Sequence, residues 1–255
     1  FILFQDIQYA LAGFNLVRIA FRRINTGTIG IFLIFPTVLI SLMGFLFENI
    51  YNTSLVSSYD FYGVTMIIFI AMMGATVPAN IFLEKHLKSA NTRIFYSPVS
   101  RVSVYFSKIL ACFLFMSLCL ALNIIVFQGL SFVNFGGNNM IYVILLLSHF
   151  VLFLTLLSSA ICVTIRNEEM TNMILSNSTA VLGFLSGIFF PIASLGAFFE
   201  KVASFSPIKW TVDCVFQLIY DGASSNYWWI ILGLLALSLL LLLIVHRNYR
   251  PQDYV

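Results

Sequence analysis

The chain has 255 residues, of which 60% are hydrophobic and only 9% charged, and its formal net charge at pH 7 is +3. A mean hydropathy of +0.99, concentrated in unbroken apolar runs, excludes an ordinary soluble domain, and so small a net charge gives no reason to expect a nucleic-acid partner. About 20 apolar residues cross a bilayer core as a helix, and a chain inside lipid must satisfy its own backbone hydrogen bonds. The expected fold is therefore an all-α polytopic membrane protein, one transmembrane domain over 1–255. It has six transmembrane helices, an N-terminal interfacial amphipathic helix and an extracellular re-entrant hairpin before the last span.

Residues 4–23 come first. Drawn at about 100° per residue, Ile7, Ala10, Phe14, Val17 and Phe21 share one face, while Gln8, Asn15, Arg18 and Arg22 share the other. Arg opposite Phe describes a helix lying in the membrane interface. Spans are then expected over 28–47, 61–82, 106–127, 140–165, 172–190 and 227–245. Pro36 and Pro78 fall inside the first two and should kink them, which membrane helices tolerate. Residues 191–226 are too many for a turn and too apolar for a solvated loop. Two short helical pieces, 195–205 and 208–220, separated by Ser206 and Pro207, would form the external hairpin.

Cations set the orientation. Arg18, Arg22 and Arg23 precede the first span; Lys85, Lys88, Arg93, Arg101 and Lys108 follow the second; Arg166 follows the fourth; Arg247 and Arg250 follow the last. Those eleven fall on one side against Lys201 and Lys209 on the other, which puts both termini in the cytoplasm by the positive-inside rule.

Chemistry inside the bilayer is sparse. There is no H-E-x-x-H pair and no P-loop pattern G-x-x-x-x-G-K-[ST], so neither zinc proteolysis nor ATP binding of that kind is expected of this chain. The acids Asp6, Glu48, Asp60, Glu84, Glu168, Glu169, Glu200, Asp213, Asp221 and Asp253 lie at span ends, in loops or in the hairpin, which leaves no proton relay. Ser186, between Gly183 and Gly187, could be imagined as a nucleophile with His149 as base. Small residues in a span more often serve close packing, however, and a lone His149 reads best as neutral and hydrogen-bonded across helices. Cys112, Cys119, Cys162 and Cys214 have no metal-ligand spacing, and Cys112 and Cys119, seven apart on one helix face, read as small core residues. No cleavable signal peptide is expected.

The polar interruption at 84–108 holds 5 of the 13 Lys and Arg. Glu84 and Lys85 come after the second span, residues 87–95 follow, a short helix by the resemblance given next, and Ser97, Pro98, Val99, Ser100 and Arg101 precede the third. Pro98 disfavours helix at Ser97 and so gives that short helix a sharp exit. Further on come the string SGIFFP at 186–191, Ser206 with Pro207, and Tyr220, Asp221 and Gly222. In this order and spacing the chain resembles the membrane subunit of type-2 ABC transporters over essentially its whole length. It departs from many drug-exporting members at His86, Leu87, Lys88 and Ser89, and at ASLGAFF after the FP step.

The resemblance implies a permease without enzymatic activity of its own, in the cell membrane of a bacterium. It implies a coupling loop over 84–100 whose Glu84, Lys85, Leu87, Lys88, Asn91 and Arg93 meet a separate ABC ATP-binding subunit. Arg101 and Lys108 are assigned to the positive-inside rule alone. It also implies an outer gate at Phe189, Phe190 and Pro191. Two copies of the ATP-binding subunit, carrying the ATP and Mg, would serve a pair formed with a second copy of this permease or a homologous one, among membrane lipids. No cofactor is expected in this chain. Few charges line the spans, which favours an amphiphilic substrate such as a drug, an antibiotic or an antimicrobial peptide. Export of a lipid-linked polysaccharide, and a non-transporting scaffold or sensor, are the alternatives.

Overall fold

The computed structural model describes residues 17–18, 26–51, 56–83, 100–189, 196–222 and 226–250. The interfacial helix expected over 4–23 lies outside them, apart from Val17 and Arg18. The elements in chain order are α1 (Thr26–Leu33), α2 (Phe35–Leu46), α3 (Glu48–Tyr51), α4 (Ser58–Met73), α5 (Thr76–Leu83), α6 (Arg101–Gly129), a 3-10 turn (Gly137–Asn139), α7 (Met140–Ile165), α8 (Glu168–Leu185), α9 (Ala197–Ala203), α10 (Pro207–Tyr220) and α11 (Tyr227–Asn248). No strand occurs among the described residues. Five helices there are long and apolar enough to cross a membrane: Gly27–Leu46, Ser58–Leu83, Arg101–Gly129, Gly137–Ile165 and Tyr227–Asn248. The protein is a polytopic all-α membrane protein.

The two intramembrane prolines break the first two spans in the way their chemistry requires. Pro36 has no N–H to give the carbonyl of Phe32, four residues back. That carbonyl instead accepts the Asn123 side-chain amide of α6 at 2.8 Å. The second span breaks at Gly74 and Ala75. The Gly74 carbonyl, freed by Pro78, accepts Val77 N–H at 2.9 Å, and Thr76 Oγ1 donates to Met73 O at 3.0 Å. Both breaks are thus satisfied inside the protein, as a non-aqueous surrounding demands. At Gly74 three spans pack closely: a Cβ there would sit 2.4 Å from Met116 Cε of α6 and 2.6 Å from Phe32 Cζ of α1.

α4 is the central helix. Tyr62, Val64, Met66, Ile68, Ile70 and Met72 are all buried, so burial runs round its circumference, as expected of a helix apolar on every side. The long α7 packs against α11, α6, α5 and α10. A second, smaller cluster, which includes Phe82, Tyr105, Val163, Val245 and Tyr249, closes the end of the bundle where the second, third and last spans meet.

α8 begins four residues before the expected 172 and ends five before 190. Asn167 Oδ1 accepts Met170 N–H at 3.1 Å, and Glu168 and Glu169 occupy the first turn, where a cap and negative charge favour a helix start. Its end is a left-handed cap: Gly187 has φ +77°, and Ile188 N–H returns to Gly183 O at 3.4 Å. α8 is less apolar than the other long helices and is not among the five above. α9 and α10 flank Ser206 and Pro207. Ser206 Oγ caps α10 by accepting Ile208 N–H at 3.3 Å, and α10 buries Ile208, Val212, Val215 and Leu218 against the bundle.

Candidate functional site

Only the stems of the loop expected to couple to a partner are described. Glu84, Lys85, Leu87, Lys88, Asn91 and Arg93 all lie in 84–99, outside the described residues. α5 enters that stretch at Leu83, and α6 leaves it at Arg101, where Ser100 Oγ caps the helix by accepting Ser103 N–H at 3.2 Å. Arg101 is exposed, in keeping with a plain positive-inside residue. Lys108 is not. It is 3% exposed, and its ammonium lies 4.9 Å from the centre of the Phe82 ring. A desolvated cation over an aromatic face is a specific attraction between the two stems, so the assignment of Lys108 to positive-inside bias alone is corrected. The signal was its position two residues inside the span expected at 106–127.

Aromatic contacts extend this lock to the last span. Tyr249 packs on Phe82 and Tyr105, with ring centres 6.2 Å and 5.4 Å away, and burial pushes its hydroxyl pKa up, so it stays neutral. Tyr105 Oη and His246 Nδ1 are hydrogen-bonded at 2.8 Å. The second, third and last spans are thus tied together at this end of the bundle.

Above the stems, a polar seam joins the second span to α8. Asn172 Nδ2 donates to Asn80 Oδ1 at 3.0 Å, and Thr179 Oγ1 donates to Met72 O, beside the Gly74 break, at 3.4 Å. Thr171 Oγ1, Asn172 Oδ1 and Ser186 Oγ are buried with no partner among the described residues. Beside the seam opens a cavity of about 300 Å³ lined by Met72, Leu154, Leu157, Thr179, Leu182 and Ile208, between the second span, α7, α8 and the hairpin.

Phe189 follows the C-terminal end of α8. Its ring packs against Phe69 and Phe184, each with centres 4.9 Å apart, and Tyr62 Oη donates to its carbonyl at 3.3 Å. A Cβ on Gly183 would come within 3.2 Å of Phe189 Cε2, so the glycine serves close packing. Phe190 and Pro191 lie outside the described residues. At the same end of the bundle as Phe189 the described loops are tied down: Asp60 Oδ1 accepts Asn134 N–H at 2.7 Å, and Asn139 Nδ2 donates to Leu218 O and Gly222 O at 3.1 and 2.9 Å. Burial, reinforced by the Asp60 carboxylate, pushes the Tyr220 hydroxyl pKa up to about 12.

The imagined hydrolase pair is not assembled. His149 Nδ1 bonds back to Leu145 O of its own helix at 2.7 Å, which also corrects the expectation of a bond across helices. Ser186 Oγ is buried with no partner among the described residues. Among the described residues no His, Cys, Asp and Glu cluster could hold a metal ion.

A family model described as ABC-2 family transporter protein matches residues 51–246. The chain belongs to the ABC-2 transporter family. No curated protein matches it. ABC-2 membrane chains are the permease subunits of transporters that work with an ABC ATP-binding partner. Within this ABC-2 permease the matched stretch contains the stems, the seam and Phe189.

Proposed function

We propose that this chain is one half of an ATP-driven exporter, paired with a second copy or a homologous permease and docked through residues 84–100 on two ATP-binding subunits. The supporting observation is the outward face of α8. Ser176 and Asn177 are exposed in the middle of that helix, among Met173, Val181 and Phe184. Polar groups at bilayer depth are costly against lipid and normally face a protein neighbour or water. That face is read as the seam between two permeases and the wall of a translocation path, with the 300 Å³ cavity behind it.

Both termini lie in the cytoplasm of a bacterial cell in this reading, since the basic residues gather there. ATP-driven closure of the partner subunits moves the loop, and the Phe82–Lys108 contact passes that motion to the second and third spans. Thr179 carries it on to α8, and Phe189 is released from Phe69 and Tyr62 to open the outer end. The apolar cavity lining favours an amphiphilic substrate of the drug, antibiotic or antimicrobial-peptide kind.

The test is to purify the tagged chain from its membrane in mild detergent and identify what copurifies. A stoichiometric P-loop ATPase, lost in the Lys88→Glu/Arg93→Glu variant, supports the reading. No ATPase under several gentle conditions would favour a scaffold or sensor instead.

A further inference from the structure

Away from the seam, α6 and α11 form the walls and α7 the floor of a cleft of about 310 Å³. Phe106, Phe113, Leu152, Leu156, Leu235 and Leu239 line it, and Ser238, which also borders it, keeps its hydroxyl buried. Phe106 and Leu239 are themselves exposed, so the cleft opens sideways, where the surrounding bilayer reaches it. It runs from Phe106 to Phe113, which is seven residues and so roughly 10 Å of helix. It ends at the Tyr105–His246 hydrogen bond, which bridges the two walls.

Charge is distributed unevenly along this cleft. Arg101, His246 and Arg247 are exposed at the end closed by the Tyr105–His246 bond. None of the three helices α6, α7 and α11 contains an Asp or Glu. Basic groups at one end of an apolar cleft between transmembrane helices match one ligand chemistry, an acyl chain that ends in an anionic headgroup. A neutral lipid would leave the cations uncompensated. A further helix would fill the cleft but would have to bring its own acid to that end.

We infer that the α6–α7–α11 cleft is a binding site for an anionic phospholipid, its acyl chain along Phe106, Leu156 and Leu239 and its phosphate on Arg101, His246 and Arg247. The bound lipid fastens α11 to α6 on the side of the bundle remote from α8. This site does not depend on the direction or substrate of transport.

The full chain, purified in mild detergent, is equilibrated with vesicles of equal phosphatidylglycerol and phosphatidylcholine bearing the same acyl chains. Native mass spectrometry then counts the lipids retained. The expected result is one phosphatidylglycerol per chain, favoured by about tenfold or more, a scale set by two arginines acting on one anionic headgroup. Arg101→Gln/Arg247→Gln brings the ratio towards one with an unchanged melting temperature. Leu239→Trp, which fills the cleft from its exposed wall, lowers retention of both lipids. A ratio near one in the wild type, or a preference untouched by both variants, overturns the site. If a variant fails to fold, a photo-reactive residue placed at 239 of the chain in the mixed vesicles decides: adducts mainly to phosphatidylglycerol support the site, and adducts to both lipids equally, or to a polypeptide, overturn it.

Discussion

α8 and α11 both leave much of their surface uncovered, and the two surfaces are unlike. Along α11, before its basic last turn, the exposed residues Trp228, Trp229, Leu232, Leu239, Leu240 and Leu243 are apolar, and its one mid-helix hydroxyl, Ser238, is buried. Along α8, Ser176, Asn177 and Ser178 are exposed at mid-helix. In water an exposed leucine would ask for an explanation and an exposed asparagine would not. In a bilayer the sense reverses, because lipid tails are as apolar as leucine and offer asparagine nothing. The face of α11 needs no cover beyond lipid. The face of α8 needs something else.

The largest effect that can break this comparison comes from a carboxylate placed on each face. Leu240→Asp should cost about 3 kcal/mol of insertion or stability, the scale for an acid near the centre of a lipid-facing helix. Asn177→Asp, nearly isosteric and on the face read as protein- or water-covered, should cost no more than about 1 kcal/mol. Unfolding titrations of both variants in bicelles measure the difference. Equal costs would mean that α8 faces lipid there, and the paired-permease reading would lose its main support.

The same contrast between covered and open positions applies to glycines. Gly74→Leu drives a side chain into Met116 and Phe32, whose atoms would lie 2.4 and 2.6 Å from the new Cβ. Overpacking of that kind costs about 1–3 kcal/mol. Gly30→Ala, with nothing within 4 Å, should be neutral or gain up to about 1 kcal/mol from reduced backbone freedom. Thermal melts of the two purified variants should therefore move in different directions, or by clearly different amounts.

The spans were legible because hydropathy reports transfer from water to an apolar medium, and the apolar runs of this chain are long. Hydropathy cannot tell whether that medium is lipid or another helix. It therefore marked 61–82 and 227–245 alike, although α4 is buried all round and α11 exposes one face. The ends of α8 were misjudged for a different reason: a polar start capped by Asn167 and a left-handed stop at Gly187 are local backbone features that an apolar run does not reveal. Lys108 and His149 were misread because one polar residue in a run says nothing of its partner. The partner is a neighbouring ring in one case and the residue's own helix in the other. The loop at 84–99 and the gate residues Phe190 and Pro191 stay at the level of the sequence resemblance.

Asn123 sharpens the comparison from the inside of the bundle. Its amide serves both Phe32 O, freed by Pro36, and Cys119 O, at 2.8 and 2.7 Å. Asn123→Leu keeps the volume and leaves the Phe32 carbonyl without its donor, a loss of about 1–3 kcal/mol for a buried group. The kink in the first span should also loosen, visible as faster hydrogen exchange around residues 32–38. An unchanged exchange rate there would mean that Pro36 alone sets the break.

The smallest expected effect on stability concerns the contact with most bearing on motion. Thr179 reaches Met72 O at 3.4 Å, a long hydrogen bond at the second-span break, and that carbonyl already accepts Ala75 N–H at 3.0 Å. Thr179→Val should therefore cost less than about 1 kcal/mol, since no buried group loses its last partner. A joint between α8 and the second span that must open and close in each cycle needs a contact of this strength, since a strong one would hold a single state. In the assembled transporter Thr179→Val should leave ATPase binding intact and change the ratio of transport to ATP hydrolysis. If that ratio matched the wild type while transport itself was robust, α8 and the second span would move as one body, and the seam would be packing rather than a joint.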